Sequence, residues 1–426
     1  VVKVDCLARV EGEGALHIKL KGDRILELKL KIPEPPRLFE AFLRGRHFLE
    51  APDITARICG ICPIAYQMSS VHAIENALGV PIDPAVRALR RLFYCGEWIE
   101  SHALHVFLLH APDFLGCEDA FGIAASHRDL VADALRLKKA GNTLVSTIGG
   151  REIHPVAARV GGFWKTPSPE NLQALAPELE WAYETAARLT RWVATLPFPD
   201  FSPATEYVAL SHPEEYPMNE GRIVSTMGLD ISAAEFEDHF LESHVRHSNA
   251  LHCQLRERGS YQVGPVARLN LNFDKLPESI RALAAECGIL PPIRNPFQSI
   301  YARMIETTFA CYEALRIIQD WRPPAQPYAG AAPREATGCA ITEAPRGILF
   351  HRYVLDSNGL ILSCRIIPPT SQNLRRIEDD LWQLVPPNLE LPLDQLTWRC
   401  EQAVRNYDPC ISCATHFLRL NLEREP

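Results

Sequence analysis

Two Cys-x-x-Cys pairs stand at opposite ends of the chain, Cys59/Cys62 in RICGICP and Cys410/Cys413 in DPCISCATH. Two intervening residues let both sulfurs of a pair turn toward one metal, and two pairs supply four thiolates. On spacing alone the commonest outcome is a structural zinc site. A zinc ribbon, however, keeps its pairs within a few tens of residues, and here almost the whole chain lies between them. A site that joins the two ends of a large protein is more than a local staple, which tilts the balance slightly toward a catalytic metal.

The other cysteines behave differently. There are 13 in all, an odd number, mostly scattered singly through 426 residues. Disulfide frameworks are dense and even in short secreted chains, so this pattern fits a reducing cytosol. Cys95, Cys253, Cys287, Cys311 and Cys364 lie in apolar surroundings and read as small buried hydrophobes. Net charge is −8, with neither the basic excess nor the basic stripe of a nucleic-acid binder. No apolar run reaches membrane-helix length, and the first residues lack the pattern of a secretory signal. There is no G-x-G-x-x-G after a strand, so no nicotinamide or flavin site is expected. Beyond the four site cysteines no cluster remains for iron–sulfur ligation.

With their flanks, RICGICPIAYQMSS (57–70) and DPCISCATH (408–416) resemble the catalytic large subunit of [NiFe]-hydrogenases. Further motifs follow in family order: ARVEGEG (8–14), PRLFEAFLRGR (36–46), SHALHVFLLHAPD (101–113), GGREIHP (149–155), EAPRGILFH (343–351) and IIPPTSQN (366–373). The resemblance implies that Cys59, Cys62, Cys410 and Cys413 bind nickel, with Cys62 and Cys413 bridging to an iron that carries one carbon monoxide and two cyanides. Two divalent metals, four thiolates and two cyanides sum to a core of about −2, which needs positive or hydrogen-bonding neighbours when buried. Arg346 matches the arginine over the metals. Thr370, after Pro369, matches the hydroxyl that donates to a cyanide. Glu11 matches the base that takes a proton from the Cys410 thiolate. Asp113 and Asp408 match acids that surround Arg346. Glu40 and His416 match ligands of a separate magnesium (or iron) near the C-terminus, with a backbone carbonyl near Ser363 as a third.

The chain departs from the pattern at Tyr66, where many members have His. A phenol donates a hydrogen bond but does not titrate near neutral pH. PIAYQMSS and IIPPTSQN are most similar to the soluble bidirectional group that exchanges electrons with NAD(P). The implied partners are an iron–sulfur small subunit and a flavin-containing diaphorase, with H₂ and protons as reactants and the cytoplasm as location. FLRLNLEREP follows His416, where family precursors are usually cut. The alternatives are a sensory or nickel-free immature form, a non-catalytic relative such as the quinone-side subunit of respiratory complex I, and a Cys₄ zinc scaffold. All four cysteines, Glu11 and Arg346 argue against the complex I relative.

The elements that must position these residues read as follows. Residues 1–32 alternate as a β-hairpin about Gly22-Asp23. Asp83-Pro84 opens a helix running to about His110. Helices are expected over 127–140, closed by Gly141, over 169–196 with a kink at Pro177, and over 233–253, 276–287 and 295–321. Strands flank the Asp356–Gly359 turn within 348–367, and short helices cover 371–383 and 393–405. The histidines His102, His105 and His110, and His239, His244 and His247, fall on two of these helices and read as core or surface residues. The 34 prolines spread through the connections and imply stiff loops. The expected architecture is helix-dominated α+β, one body over 1–426. It comprises a hairpin region at 1–32, a long-helix bundle at 83–322 and an α/β part at 340–426 that closes the metal site.

Overall fold

A computed structural model describes residues 2–415. His416 and the segment FLRLNLEREP lie outside the described residues. The hairpin is present and has a third strand. Val2–Val4 pairs antiparallel with Ala15–Lys21, which turns at Gly22 into Arg24–Lys31. Gly22 takes φ +57, a conformation that suits glycine.

Four long helices carry the bundle. Pro84–Ala103 packs against both Arg128–Gly149 and Ser299–Asp320, and Ser299–Asp320 packs in turn on Ala176–Val193. Asp83 caps the first of these by accepting from Ala85 N at 2.7 Å. Its last stretch, Leu104–His110, is π-helical before Ala111–Leu115 resumes α geometry. Such wide turns recur at functional sites.

Three expectations are corrected. Gly141 does not end its helix, which runs on to Gly149 and closes at Gly150. Gly141 instead lets two helices touch, since a Cβ there would sit 2.7 Å from Gly96 O. Pro177 does not kink one helix. It lies at the start of a second, Ala176–Val193, after a short Pro169–Gln173 helix. The stretch 233–253 is helical only at its start, in a 3-10 turn at Ala233–Glu235 and one α-turn at Phe236–His239. Beyond it Phe240–His244 and Leu251–Leu255 form an antiparallel hairpin. Phe236 stacks on Phe240 and Phe350 (centroids 4.3 and 4.6 Å), and this packing outweighs the helical spacing of the sequence.

The C-terminal part contains a three-stranded antiparallel sheet, Ala336–Ala344, Gly347–Leu355 and Ile361–Ile367. Its first strand lies on the Pro63–Leu78 helix that follows the first cysteine pair. Gly338 permits that approach, because a Cβ there would lie 2.4 Å from Ala73 O. Pro369–Leu384 and Leu393–Arg405 complete this part. The main apolar core runs from Val2 to Ala414, so both cysteine pairs share it. Among the described residues no helix is long and apolar enough to cross a membrane.

Candidate metal centre

Each cysteine pair stands at a helix start, the first just before its helix and the second with Cys413 inside the first turn. Cys62 precedes Pro63, whose missing N–H costs nothing at a helix start. Cys410 precedes the short Ile411–Ala414 helix. The N–H groups of Ile61 and Cys62 both lie 3.3 Å from Cys59 Sγ. Glu97, fully buried, accepts from Ile64 N (2.7 Å) and Ala65 N (3.2 Å), and so clamps the helix start beside Cys62. Arg37 ties the segments of the two pairs together. Its guanidinium donates to the carbonyls of Ile58 and Arg57, and its backbone N to Thr415 O.

The four sulfurs converge. Cys59 Sγ is 3.5 Å from Cys410 Sγ, and Cys410 Sγ 2.8 Å from Cys413 Sγ. All four cysteines are at most 4% exposed. The thiol of Cys59 is pulled well below its ordinary value, first by its hydrogen bonds from Cys410, Cys413 and Cys62, and also by Arg346. Cys62 and Cys410 go up, chiefly through their cysteine neighbours, and Cys413 goes up chiefly through burial. Four clustered thiols therefore cannot all ionise unaided. A cation that takes the place of their protons resolves this, and soft thiolates suit nickel and iron.

Arg346 reaches the cluster from the tight turn between two strands of the C-terminal sheet. Nε donates to Asp408 O (2.7 Å) and Nη2 to Asp408 Oδ1 (3.0 Å), while Nη1 is buried without a partner. The charges of Asp408, Cys410, Cys62 and Cys59 push its pKa up against the effect of burial. Asp408 holds this position at φ +51, a conformation a few short polar residues tolerate. An idle buried guanidinium N–H on a side chain that feels Cys410, Cys62 and Cys59 fits an anionic metal group there.

Glu11 comes from the other end of the chain. Cys410 Sγ donates to Glu11 Oε2 at 3.1 Å, and Ser412 N donates to the same oxygen at 3.1 Å. Ile411 N donates to Glu11 O at 2.9 Å. Gly12, at φ +86, makes the approach possible, since a Cβ there would lie 2.8 Å from that of Ile411. Pro369 begins the Pro369–Leu384 helix, and Thr370 Oγ1 accepts from Cys410 N at 3.0 Å. The Thr370 hydroxyl proton is left to point elsewhere. Tyr66 is buried beside Cys413, and burial first, then that cysteine, raises its phenol well above the ordinary value.

Asp113 is not where the resemblance put it. Its carboxylate is taken by Arg9 (2.6 Å), Arg405 (2.7 and 2.8 Å) and His110 (3.0 Å). With those donors it has no part in holding Arg346, whose acid partner is Asp408. Asp113 instead fixes Arg405, which also reaches Ala8 O in the Glu11 segment at 3.1 Å. Glu40 is buried, with Oε1 accepting from Ile366 N at 2.9 Å. The strand residue at its carboxylate is thus Ile366, beyond Ser363. His416 lies outside the described residues.

Arg303, Glu97 and Arg37 escaped the sequence reading. Arg303 Nη1 stands 3.5 Å from Asp408 Oδ2 on the far side from Arg346. Its one signal was a charge set in an apolar helical stripe with Glu306 one turn on. The histidines read as core are core: His102 meets Glu306 at 2.9 Å and His105 meets Arg405 O at 2.8 Å. Cys95, Cys253 and Cys311 are fully buried, and burial pushes their thiols up; Cys287 and Cys364 are only half-buried.

A family model for nickel-dependent hydrogenases matches residues 37–132. Sulfhydrogenase 1 subunit alpha of Pyrococcus furiosus is 31% identical over 98% of each chain. Sulfhydrogenase 2 subunit alpha of the same organism is 33% identical over 99% of this chain and 100% of the relative. The beta subunit of the NAD-reducing hydrogenase HoxS of Cupriavidus necator is 26% identical over 97% of this chain and 94% of its own. A crystal structure of an NAD⁺-reducing [NiFe]-hydrogenase in the H₂-reduced state superposes with a TM-score of 0.88 at 27% identity, covering 97% of this chain and 99% of that one. The chain belongs to the nickel-dependent hydrogenases and is a catalytic [NiFe]-hydrogenase large subunit.

Proposed function

We propose that Cys59, Cys62, Cys410 and Cys413 hold the nickel, that Cys62 and Cys413 are shared with the iron, and that this iron carries one carbon monoxide and two cyanides. When bound, the metal pair supplies the Lewis-acidic, redox-active site at which H₂ is cleaved or formed. Arg346 Nη1 and the Thr370 hydroxyl are the donors for the two cyanides. Arg346 is held by Asp408, and Thr370 by the Cys410 N–H it accepts. Pro369 contributes by starting the helix without an N–H, which sets Thr370 in its first turn.

Protons leave by Glu11. Oxidation of H₂ yields two protons and two electrons, and a proton on Cys410 Sγ passes to Glu11 Oε2, the oxygen already within hydrogen-bond reach. Ser412 N–H holds that oxygen in place. Asp113 serves this relay at one remove, through Arg9 and Arg405. Electrons leave through an iron–sulfur small subunit and a flavin-bearing diaphorase toward NAD(P), a reading supported by the NAD-reducing relatives. Glu40 and His416 hold a magnesium (or iron) ion beside the C-terminal segment. The chain works as one body over 1–426, a reading supported by a main core that runs from Val2 to Ala414. We place it in the cytoplasm, supported by 13 cysteines none of which is in a disulfide.

The observation that carries this reading is the 3.1 Å contact between Cys410 Sγ and Glu11 Oε2, two residues almost a chain length apart. Glu11→Gln tests it. Nickel and iron content should be unchanged and H/D exchange should fall by at least about 10²-fold. Wild-type exchange in that variant would remove Glu11 from the proton route.

A further inference from the structure

Away from the cysteines, side chains from three elements meet at one point. His247 lies in the turn of the hairpin made by Phe240–His244 and Leu251–Leu255, His252 on its second strand, and Glu378 on the Pro369–Leu384 helix. One ligand-capable atom of each lies within 4.8 Å of those of the other two. His247 Nε2 is 2.8 Å from Glu378 Oε1, and His252 Nδ1 is 3.9 Å from Glu378 Oε2.

His252 is the telling member. It is 3% exposed, and neither ring nitrogen makes a hydrogen bond. A buried imidazole with both nitrogens idle bears the cost of desolvation with no return. Glu378 is oriented from outside, because Leu30 N donates to its Oε1 at 3.0 Å. Ligating carboxylates are commonly fixed by such a tie. Arg375, the nearby cation on the same helix, is paired with Asp379 at 3.1 Å.

We propose that His247, His252 and Glu378 bind a borderline divalent cation of the zinc, cobalt or nickel class, at a site separate from the cysteine centre. Two imidazoles and one carboxylate form a three-ligand set that leaves a fourth position for water. The His247 side chain, 17% exposed, gives that position its access to solvent. Calcium and magnesium are disfavoured, since they require more oxygen donors than one carboxylate provides. A cation here joins the hairpin to the helix whose first turn carries Thr370, and through Leu30 to the N-terminal sheet.

The test is a cobalt(II) titration of the holoenzyme, with its nickel–iron centre loaded so that the four cysteines are occupied. The expected result is one cobalt per chain, with visible ligand-field bands of a low-coordinate nitrogen/oxygen site and no near-ultraviolet thiolate charge-transfer band. His247→Ala and His252→Ala should each abolish those bands while nickel and iron remain at wild-type levels. Glu378→Gln, which keeps an acceptor for Leu30 N–H, should weaken cobalt binding by at least about tenfold. His247 sits in a part-exposed turn, so its variant reports even if His252→Ala does not accumulate. No cobalt uptake by the holoenzyme, or uptake that survives both histidine substitutions, overturns the proposal. The nickel and iron counts keep that outcome distinct from any failure at the cysteine centre.

Discussion

Two buried arginines on neighbouring elements show how differently one side chain can be used. Arg268 spends every donor on the protein. Nε and Nη2 take both oxygens of Glu306 at 2.7 Å, Nη1 takes Glu343 at 2.7 Å, and the carbonyls of Ala344 and Pro345 accept at 2.9 Å. Its face covers the Trp98 ring at 4.4 Å. Arg346, two residues past Ala344, keeps Nη1 unpaired, and its guanidinium feels the charges of Cys410, Cys62 and Cys59. The first is a closed joint between the bundle and the C-terminal sheet. The second is an open one, completed by what binds between the cysteines. The two acids of the closed joint differ as well. Glu306, held by Arg268 and His102, falls to about 2, whereas burial lifts Glu343 to about 7. Both are fully buried, so bond count, not depth, separates them.

Substitutions should divide along the same line. Arg268→Met leaves two carboxylates buried without their cation and should cost roughly 3–5 kcal/mol of stability. Chemical denaturation would register it, while hydrogen turnover per folded molecule should stay near wild type. Arg346→Lys keeps a charge but loses the planar fork. Turnover should drop about 10²–10³-fold, roughly 2.7–4 kcal/mol, with nickel and iron retained and Tm little changed. If the two variants exchanged these signatures, the distinction between the joints would collapse.

A smaller effect sharpens the closed joint through pH. Burial, outweighing Glu306, lowers His102 from 6.5 to about 4. As pH falls through that window the unfolded chain takes a proton that the folded one refuses, so stability is lost on the acid side. The loss ascribed to His102 is about 3 kcal/mol at most. Glu306 loses its contribution later, between 4.5 and about 2. In His102→Gln, Tm measured against pH should fall less steeply between 6.5 and 4, with the later loss intact. An unchanged slope there would assign the acid sensitivity to other buried histidines.

Much of the centre was legible because its chemistry is carried by short motifs. The structure brings the cysteine pairs, Glu11, Arg346, Thr370 and Asp408 together at one place. What was hidden depends on long-range packing. Asp113 lies in a correct motif, yet Arg9 and Arg405 claim its carboxylate, and only the fold shows which arginine an acid will meet. Gly141 reads as a helix terminator until Gly96 is seen against it. The segment 233–253 has helical spacing, but stacking of Phe236, Phe240 and Phe350 decides for strands. That misreading also concealed the approach of His247 to His252, which only a hairpin brings about.

Infrared spectroscopy of the purified protein, with nickel and iron counted on the same sample, tests the central claim most directly. Bands of metal-bound carbon monoxide and cyanide between the protein amide and O–H regions, with one nickel per chain, are predicted for wild type. In Cys413→Ala the bands and the nickel should disappear together. Zinc in the four-cysteine site of wild type, with no such bands, would contradict the account and leave a structural scaffold in place of a catalytic centre.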